Sequence, residues 1–372
     1  MRKVLIVFGT RPEAIKLVPI IKELEQRPER FSSVVCVTGQ HRYLLDQVLN
    51  VFEIKPLHDL SIMTEDQSLF DITTQGLLGV QKVLELERPD ILLVQGDTTT
   101  AFTSALAAFY LGIPIGHVEA GLRTWNKHHP FPEEINRRLT SHLADWHFAP
   151  TAGSRENLLA EGIADNTIFV TGNTVVDALL LAMERLSSHV MTIPSEILLL
   201  IERKKLVLVT GHRRESFGEG LRNICEALRE IVRRHPDTIV VYPVHLNPNV
   251  RGPVNSLLGE TERVFLLEPL DYLSFVYLLQ KAYLILTDSG GIQEEAPSLG
   301  KPVLVMREVT ERPEGVEAGT VRVVGTDAAT IVNETERLLL DPTEYLKMAR
   351  SHNPYGDGQA ASRILQILQN VL

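Results

Sequence analysis

The sequence has little cysteine and no surplus of positive charge, and each shortage excludes a class of protein. Among 372 residues only Cys36 and Cys225 are cysteines, and neither belongs to a CxxC pair. A disulfide framework or a structural zinc site is therefore not expected, and a reducing cytoplasm is the predicted location. The formal net charge of −10 argues against nucleic acid as a partner, because nucleic-acid binders usually carry a basic surplus.

Long apolar runs and several common catalytic motifs are also missing. No stretch approaches the ~18 uninterrupted apolar residues of a membrane helix, so membrane insertion is not expected. The apolar run in "MRKVLIVFGTRPEA" is too short for a signal peptide. There is no P-loop, GxGxxG, GxSxG or HExxH motif, which disfavours a kinase, a dehydrogenase and a hydrolase of that kind. No metal or other cofactor is predicted, because metal-ligand spacing is missing even where histidines are frequent, at His117, His128, His129, His142 and His147.

Short apolar runs alternate with amphipathic stretches along the whole chain. This alternation predicts βαβ units and a parallel sheet, and therefore an α/β protein. The first half contains the strand-like runs "KVLIVFG", "SSVVCVTG", "DILLVQGD", "IPIGHVEAG" and "WHFAP". The second half contains "KLVLVTGHRRE", "TIVVYPVH", "VFLLEPL", "YLILTDSGG" and "PVLVM".

The second half repeats the order of the first. "VLIVFGTRPE" (4–13) parallels "LVLVTGHRRE" (206–215), and residues 90–121 parallel residues 283–315. Two Rossmann-like, doubly wound domains facing a central cleft are predicted, at 1–171 and 172–355, with a closing helix at about 356–372 that packs back on the first domain. Ligands of such sheets bind beyond the carboxyl ends of the strands, which predicts a cleft lined by Gly9–Lys16, Gly96–Thr100, His117–Arg123, Gly211–Ser216 and Thr287–Glu295.

Two of these loops combine glycine with positive charge. "GTRPEAIK" places Arg11 and Lys16 around the start of a helix, and "TGHRRESFGEG" places His212, Arg213 and Arg214 at the equivalent point of the second half. Taken singly, such groups are usually solvated surface charges. Together at strand ends they favour an anionic ligand such as a diphosphate.

A third loop, "TDSGGIQEEA", combines glycines with acids. Ser289, Gly290 and Gly291 expose backbone N–H groups at the start of a helix, where a phosphate can bind. Glu294 and Glu295 follow one turn later, where a carboxylate can accept hydrogen bonds from ribose hydroxyls. The alternative is a tight turn followed by acids that complement the helix dipole.

Carboxylates also follow neighbouring strands of the first half. Asp97 lies in "VQGDTTT" and Glu119 in "GHVEAGLR", while Glu133 and Glu134 open a helix in "HPFPEEINRR". A Pro-Glu-Glu start is by itself ordinary capping chemistry. Carboxylates held together in an otherwise basic cleft are, however, how an enzyme positions an acid and a base.

Taken together, these motifs resemble those of the non-hydrolysing UDP-N-acetylglucosamine 2-epimerases. The resemblance covers essentially the whole chain in family order, through "GTRPEAIKLVP", "TGQHR", "VQGDTTT", "HVEAGLRT", "FPEEINRR", "VTGHRRESFG", "TDSGGIQEEA" and "GKPVLVMREVTERPE". It implies a GT-B-like fold without metal or nicotinamide. It also implies interconversion of UDP-GlcNAc and UDP-ManNAc by elimination of UDP to 2-acetamidoglucal, followed by re-addition. Members are usually homodimers, which we expect here.

The resemblance also assigns roles to residues. Asp97, Glu119 and Glu133 match the acid/base carboxylates, and His212 matches the histidine that stabilises departing UDP. Leu270 stands where many members have glutamine, so a side-chain contact to the base is lost there. The remaining substrate positions are Arg11, Lys16, Ser289, Gly290 and Gly291 for the diphosphate, Glu295 for the ribose, Phe275 for the uracil, and Arg137 and Arg312 elsewhere in the cleft.

Three other functions stay open at this point. A hydrolysing relative releases free ManNAc and UDP, and often carries a kinase domain, which residues up to 372 do not contain. A GT-B glycosyltransferase would keep the nucleotide site but has no need for three such carboxylates. A non-catalytic sugar-nucleotide sensor is disfavoured because all the carboxylates are present.

Some bacterial members bind a second UDP-GlcNAc as an activator, and one substitution here bears on that site. The matching positions are Gln40, His41, Gln67, Arg213 and His245. Asp66 stands where members with this site carry arginine, so we predict a weakened or altered activator site and hyperbolic rate curves. Initial rates against UDP-GlcNAc concentration check this, and sigmoidal curves that Gln40→Ala abolishes would contradict it.

Overall fold

The protein consists of two compact α/β units in a computed structural model that describes residues 1–39, 42–63 and 67–372. The first unit contains Met1–Leu181 and Tyr355–Leu372, and the second contains Ala182–Pro354.

The first unit is built on a seven-stranded parallel sheet. Its strands are β1 (Arg2–Phe8), β2 (Phe31–Val37), β3 (His58–Asp59), β4 (Ile91–Gln95), β5 (Ile115–Val118), β6 (Trp146–Ala149) and β7 (Ile168–Val170). Its helices before the boundary are α1 (Arg11–Glu25), α2 (Arg42–Val51), α3 (Leu69–Glu87), α4 (Thr99–Tyr110), α5 (Glu133–Leu143) and α6 (Ala152–Ala160). Helix α7 (Thr174–Arg185) begins in this unit and continues past its boundary at Leu181. The strand order is β3-β2-β1-β4-β5-β6-β7.

The second unit contains a six-stranded parallel sheet. Its strands are β8 (Lys205–Thr210), β9 (Thr238–Pro243), β10 (Val264–Leu267), β11 (Leu284–Thr287), β12 (Val303–Val305) and β13 (Val321–Val323), in the order β10-β9-β8-β11-β12-β13. Its helices are α8 (Ser195–Ile201), α9 (Glu219–Arg234), α10 (Pro248–Leu258), α11 (Tyr272–Lys281), α12 (Gly290–Glu295), α13 (Pro313–Glu317), α14 (Ala328–Leu340) and α15 (Pro342–Ala349). The α/β class with two parallel sheets is confirmed.

The central strands of both sheets are apolar without alternation, because helices cover both faces. Val4 to Phe8 of β1 are completely buried, and so are Val207 to Val209 of β8. Three short strands, β3, β7 and β13, were not predicted. Each has only two or three residues and lies at the edge of its sheet, so any apolar run there is too short to mark a strand.

The order of the strands reverses at the same place in each sheet. In the first unit β1 lies between β2 and β4, and in the second β8 lies between β9 and β11. The loops after β1 and β4, and after β8 and β11, therefore diverge at the carboxyl edge, which is where such sheets bind ligands. The loops rich in glycine and charge follow these four strands.

The end of the chain completes the first unit. Helix α16 (Ala360–Val371) packs against α1. The segment before it passes close to Gly172, and the backbone N–H of Asn173 donates to the carbonyl of Tyr355 at 2.7 Å. At the start of α16, the N–H of Ala361 donates to Oδ1 of Asp177 at 2.9 Å.

None of the helices within the described ranges has both the length and the apolar composition needed to cross a bilayer.

Asp177 makes the attachment of α16 sensitive to pH. Burial raises the pKa of Asp177 to about 6, and its Oδ2 is buried without a hydrogen-bond partner among the described residues. The folded-state pKa of Asp177 exceeds its unfolded value of about 3.9, so between these two pH values the folded protein keeps a proton that the unfolded chain has lost. Ionisation of Asp177 therefore destabilises the folded state as pH rises through this range.

We therefore expect Asp177→Asn to become more stable relative to the wild type between pH 4 and pH 7, by about 1–2 kcal/mol at neutral pH, because the amide oxygen still accepts from Ala361. Denaturant unfolding at several pH values measures this. Asp71→Asn in the same unit is the control: Ser68 lowers the pKa of Asp71, so that variant should lose stability at neutral pH and match the wild type in acid. A pH-independent difference for Asp177→Asn would contradict the prediction.

Candidate functional site

The loop after β1 is held by a buried carboxylate from its own helix. Oε2 of Glu13 accepts the backbone N–H groups of Gly9 and Thr10 at 3.0 and 2.8 Å, and the hydroxyl of Thr10 at 2.8 Å. Its Oε1 accepts the hydroxyl of Thr98, from the loop after β4, at 2.6 Å. Burial raises the pKa of Glu13. One side chain thus joins the loop that carries Arg11 to the loop that carries Asp97.

Asp97 follows a left-handed glycine at the end of β4. Gly96 has a φ of 71°, and Nε2–H of the buried His117 donates to its carbonyl at 2.7 Å. The carboxylate of Asp97 pairs with the guanidinium of Arg137, and the side-chain amide of Asn136 donates to the Asp97 carbonyl at 3.0 Å. Sequence reasoning placed Asp97 and Arg137 at the same site, and the structure brings these two side chains into contact.

Glu119 occupies a strained position at the end of β5. Its φ is 62°, in the left-handed region that residues other than glycine rarely adopt, and such strain is frequent at functional positions. Its carboxylate pairs with the ammonium of Lys16, and Nδ2 of Asn173 donates to Oε2 at 3.0 Å. The Lys16 side chain, which the resemblance assigned to a diphosphate, therefore contacts a carboxylate of the first unit.

The two glutamates that open α5 differ in their surroundings. Glu134 is fully buried and accepts the backbone N–H groups of Thr124 and Trp125 at 3.0 and 3.2 Å. It holds the loop after β5 and cannot face a ligand. Glu133, the predicted acid/base residue, is half-buried at the start of the helix.

In the second unit, His212 follows β8 and is partly exposed. Its ring stacks on that of His245 with centroids 5.4 Å apart, and its Nδ1 lies 3.3 Å from Oδ1 of Asp288. Burial lowers the pKa of His212, Asp288 opposes this effect, and His245 and Arg213 add to it.

The Ser289–Gly291 turn follows β11 and lies beside a guanidinium. A Cβ on Gly290 would lie 3.7 Å from Nη2 of Arg312, while a Cβ on Gly291 would meet nothing within 4 Å. The guanidinium of Arg312 pairs with the buried carboxylate of Glu294. Open space next to a fixed positive charge fits an anionic group.

The two glutamates of "GIQEEA" therefore contact different partners. Glu294 is committed to Arg312 and cannot serve the ribose as the sequence allowed. Glu295 lies near the hydroxyl of Tyr272, at 3.5 Å. On the same helix as Tyr272, Phe275 is half-buried, and Leu270 before the helix is buried.

The predicted activator residues are only partly covered by the structure. Gln40, His41 and Asp66 lie outside the described residues. Gln67 is half-buried in the first unit. Arg213 and His245 both lie beside His212 in the second unit, and the activator site stays a prediction.

Two buried histidines of the first unit, His117 and His147, make structural contacts. Burial lowers the pKa of His117 to about 3, and it also lowers the pKa of His147, which contacts the Ser141 carbonyl at 2.8 Å. Within residues 1–39, 42–63 and 67–372, no group of three or more His, Cys, Asp or Glu side chains is arranged to hold a metal ion.

Sequence reasoning missed several residues that hold the loops. Asn136, Asn173 and Asp288 each bind a predicted site residue, and Glu13 binds the backbone of a predicted cleft loop. Three lie in motifs already singled out, "GTRPEA", "FPEEINRR" and "TDSGG". Nothing in the letters around Asn173 indicates that it reaches Glu119, which lies 54 positions earlier.

Comparison with known proteins gives a consistent family. Residues 22–369 match the family model described as UDP-N-acetylglucosamine 2-epimerase. A protein of that name from Salmonella typhimurium is 58% identical over 372 residues, covering 99% of this chain and 98% of its own. The Campylobacter jejuni protein of the same name is 54% identical over 375 residues, covering 99% and 97%.

Solved structures agree with this. The Neisseria meningitidis UDP-GlcNAc 2-epimerase bound to UDP-GlcNAc has a TM-score of 0.90 and 51% identity, covering 99% of this chain and 100% of its own. The S. aureus MnaA–UDP structure has a TM-score of 0.89 and 47% identity, covering 100% and 98%. The fold class is thus GT-B-like as well as α/β, and the chain belongs to the UDP-N-acetylglucosamine 2-epimerase family.

Proposed function

We propose that this protein is an isomerase that reversibly converts UDP-GlcNAc to UDP-ManNAc without net hydrolysis. The observation that carries the proposal is the pair of carboxylates at the ends of neighbouring strands, Asp97 beside Arg137 and Glu119 beside Lys16. Proton abstraction and return at one carbon need two such groups on opposite faces of the sugar. A relative that binds UDP-GlcNAc, the Neisseria meningitidis enzyme, supports the choice of substrate.

In the proposed reaction one proton leaves and returns to C2, and one leaving group, UDP, leaves and returns to C1. A carboxylate removes the C2 proton, the C2–H electron pair forms the C1=C2 double bond of 2-acetamidoglucal, and the C1–O bond breaks with its electron pair on UDP. A second acid then protonates C2 on the opposite face, and a UDP oxygen re-forms the bond to C1. Asp97, Glu119 and Glu133 are assigned to these proton transfers as a set.

We assign the binding of the nucleotide to residues of the second unit. Arg312 beside the open face of Gly290 and Gly291 offers a fixed positive charge and unobstructed backbone to the diphosphate. His212 stabilises the charge that grows on departing UDP, which is where electrostatic stabilisation has most effect. The remaining substrate contacts are assigned to Arg11, Lys16, Arg137, Phe275, Ser289 and Glu295.

We expect this reaction to exchange the C2 hydrogen with solvent. Incubation with UDP-GlcNAc in heavy water, followed by NMR at C2, should give deuterium at C2 and a mixture of the two nucleotide sugars. Free ManNAc as the sole sugar product would replace the proposal with hydrolysis. A C2–H that stays inert while an added acceptor is glycosylated would replace it with glycosyl transfer.

Asp97→Asn tests the role of a single carboxylate. An amide cannot accept a proton, so kcat should fall by about 10²–10⁴-fold. The dissociation constant for UDP should change by less than about threefold, because the lost interaction acts on the transition state. Steady-state kinetics and calorimetric UDP titration measure the two quantities.

Asp90→Asn is the matched control for Asp97→Asn. Asp90 precedes β4 at the other end of the same strand and accepts the N–H of Lys3 at 2.7 Å. Its substitution should leave kcat close to the wild-type value. If Asp97→Asn instead weakens UDP binding strongly while kcat at saturating substrate stays near the wild-type value, the acid/base role of Asp97 is wrong.

A further inference from the structure

Asp288 is a buried carboxylate at the end of β11 that holds the loop carrying His212. Its Oδ2 accepts two consecutive backbone N–H groups, from His212 at 2.7 Å and from Arg213 at 2.8 Å. The residue is 1% exposed. Hydrogen bonds to an ionised acceptor are roughly twice as strong as neutral ones, so this oxygen fixes the backbone at His212.

The same loop is held from its other side by Tyr242. The hydroxyl of this fully buried residue donates to the Gly211 carbonyl at 2.9 Å. One residue earlier, the hydroxyls of Thr210 and Thr287 lie 2.6 Å apart and link the ends of β8 and β11. The backbone around His212 is therefore held by contacts from Asp288, from Tyr242 and from the Thr210–Thr287 pair.

The second oxygen of Asp288 faces the imidazole itself. Oδ1 lies 3.3 Å from Nδ1 of His212. It is buried and has no hydrogen-bond partner within the described part of the chain. A buried carboxylate oxygen gains much from a donor, and a small rotation of the ring would direct an Nδ1–H toward it. The other titratable or charged groups at this ring are His245 and Arg213.

We propose that Asp288 is a positioning residue that keeps the proton of His212 on Nδ1 and favours its imidazolium form, so that Nε2–H points to the departing diphosphate. This inference rests on the proposed function, in which His212 faces that leaving group. Asp288 touches no reacting atom and acts through His212. Its negative charge opposes the effects of Arg213 and of the partial burial of the ring.

Asp288→Asn separates this role from simple support of the loop. The amide oxygen can take the place of Oδ2 and accept the same two N–H groups, so the backbone keeps its anchor. The amide NH₂ then faces Nδ1, which becomes an acceptor, and the imidazole is left in the Nε2–H tautomer. An Asp→Asn change of this kind preserves geometry and reverses the tautomer in other Asp–His pairs.

We expect three results for Asp288→Asn. Nitrogen-15 NMR should show His212 protonated at Nδ1 in the wild type and at Nε2 in the variant, with a lower pKa in the variant, because a carboxylate no longer stabilises the cation. The neutral imidazole of the variant keeps its Nε2–H but lacks the positive charge that stabilises departing UDP, so kcat should fall by about 10²-fold, while the dissociation constant for UDP changes by less than about threefold. The alkaline limb of the kcat–pH profile should move to lower pH. His212→Gln assigns the resonance.

Glu336→Gln is the matched control, because Glu336 lies 3.1 Å from Nε2 of His235 in the same unit. It should alter neither the titration of His212 nor kcat. The inference is overturned if Nδ1 of His212 lacks a proton in the wild type, a measurement that needs no folded variant. It is also overturned if His212 titrates identically in wild type and Asp288→Asn. These spectra do not require turnover. The absence of epimerase activity in the wild type would therefore contradict the proposed function without deciding the role of Asp288.

Discussion

The structure depends on buried carboxylates that hold the turn after the first strand of each sheet. In the first unit Glu13 accepts the N–H groups of Gly9 and Thr10, and in the second Asp288 accepts those of His212 and Arg213. Each bond to a charged acceptor contributes about 1.5–3 kcal/mol in net terms. In both units a carboxylate accepts the backbone N–H groups of the turn, but the carboxylates come from different elements. Glu13 lies in the helix that follows the turn it holds. Asp288 lies at the end of β11, the strand beside the one whose turn it holds.

The second constraint is the pairing of charge within each loop cluster. Asp97 contacts Arg137, Glu119 contacts Lys16, and Arg312 contacts Glu294. Unpaired charges are costly at low exposure, so each of these six charged groups is held by a partner. Preorganised charges of this kind need little rearrangement as the transition state forms.

Sequence reasoning predicted the sheets and the loops well, because their signals are local. Unbroken apolar runs marked the central strands, and glycines marked the turns that follow them. It could not predict which acid serves the ligand and which serves the fold. Glu294 and Glu295 are identical in the letters, yet Glu294 pairs with Arg312 and Glu295 lies near the hydroxyl of Tyr272, since helix rotation decides the direction of each side chain. The contact of Asn173 with Glu119 depends on tertiary packing, which no local pattern encodes.

The return of the chain end to the first unit has a consequence for biosynthesis. Asn173 holds Glu119 with its side chain and donates its backbone N–H to the carbonyl of Tyr355. Helix α16 then packs on α1, the helix that carries Lys16. During translation, Glu119 therefore gains its full surroundings only after the last eighteen residues, Tyr355–Leu372, have left the ribosome. A nascent chain stalled before Tyr355 would carry Glu119 and Asn173 without the backbone contact that holds Asn173.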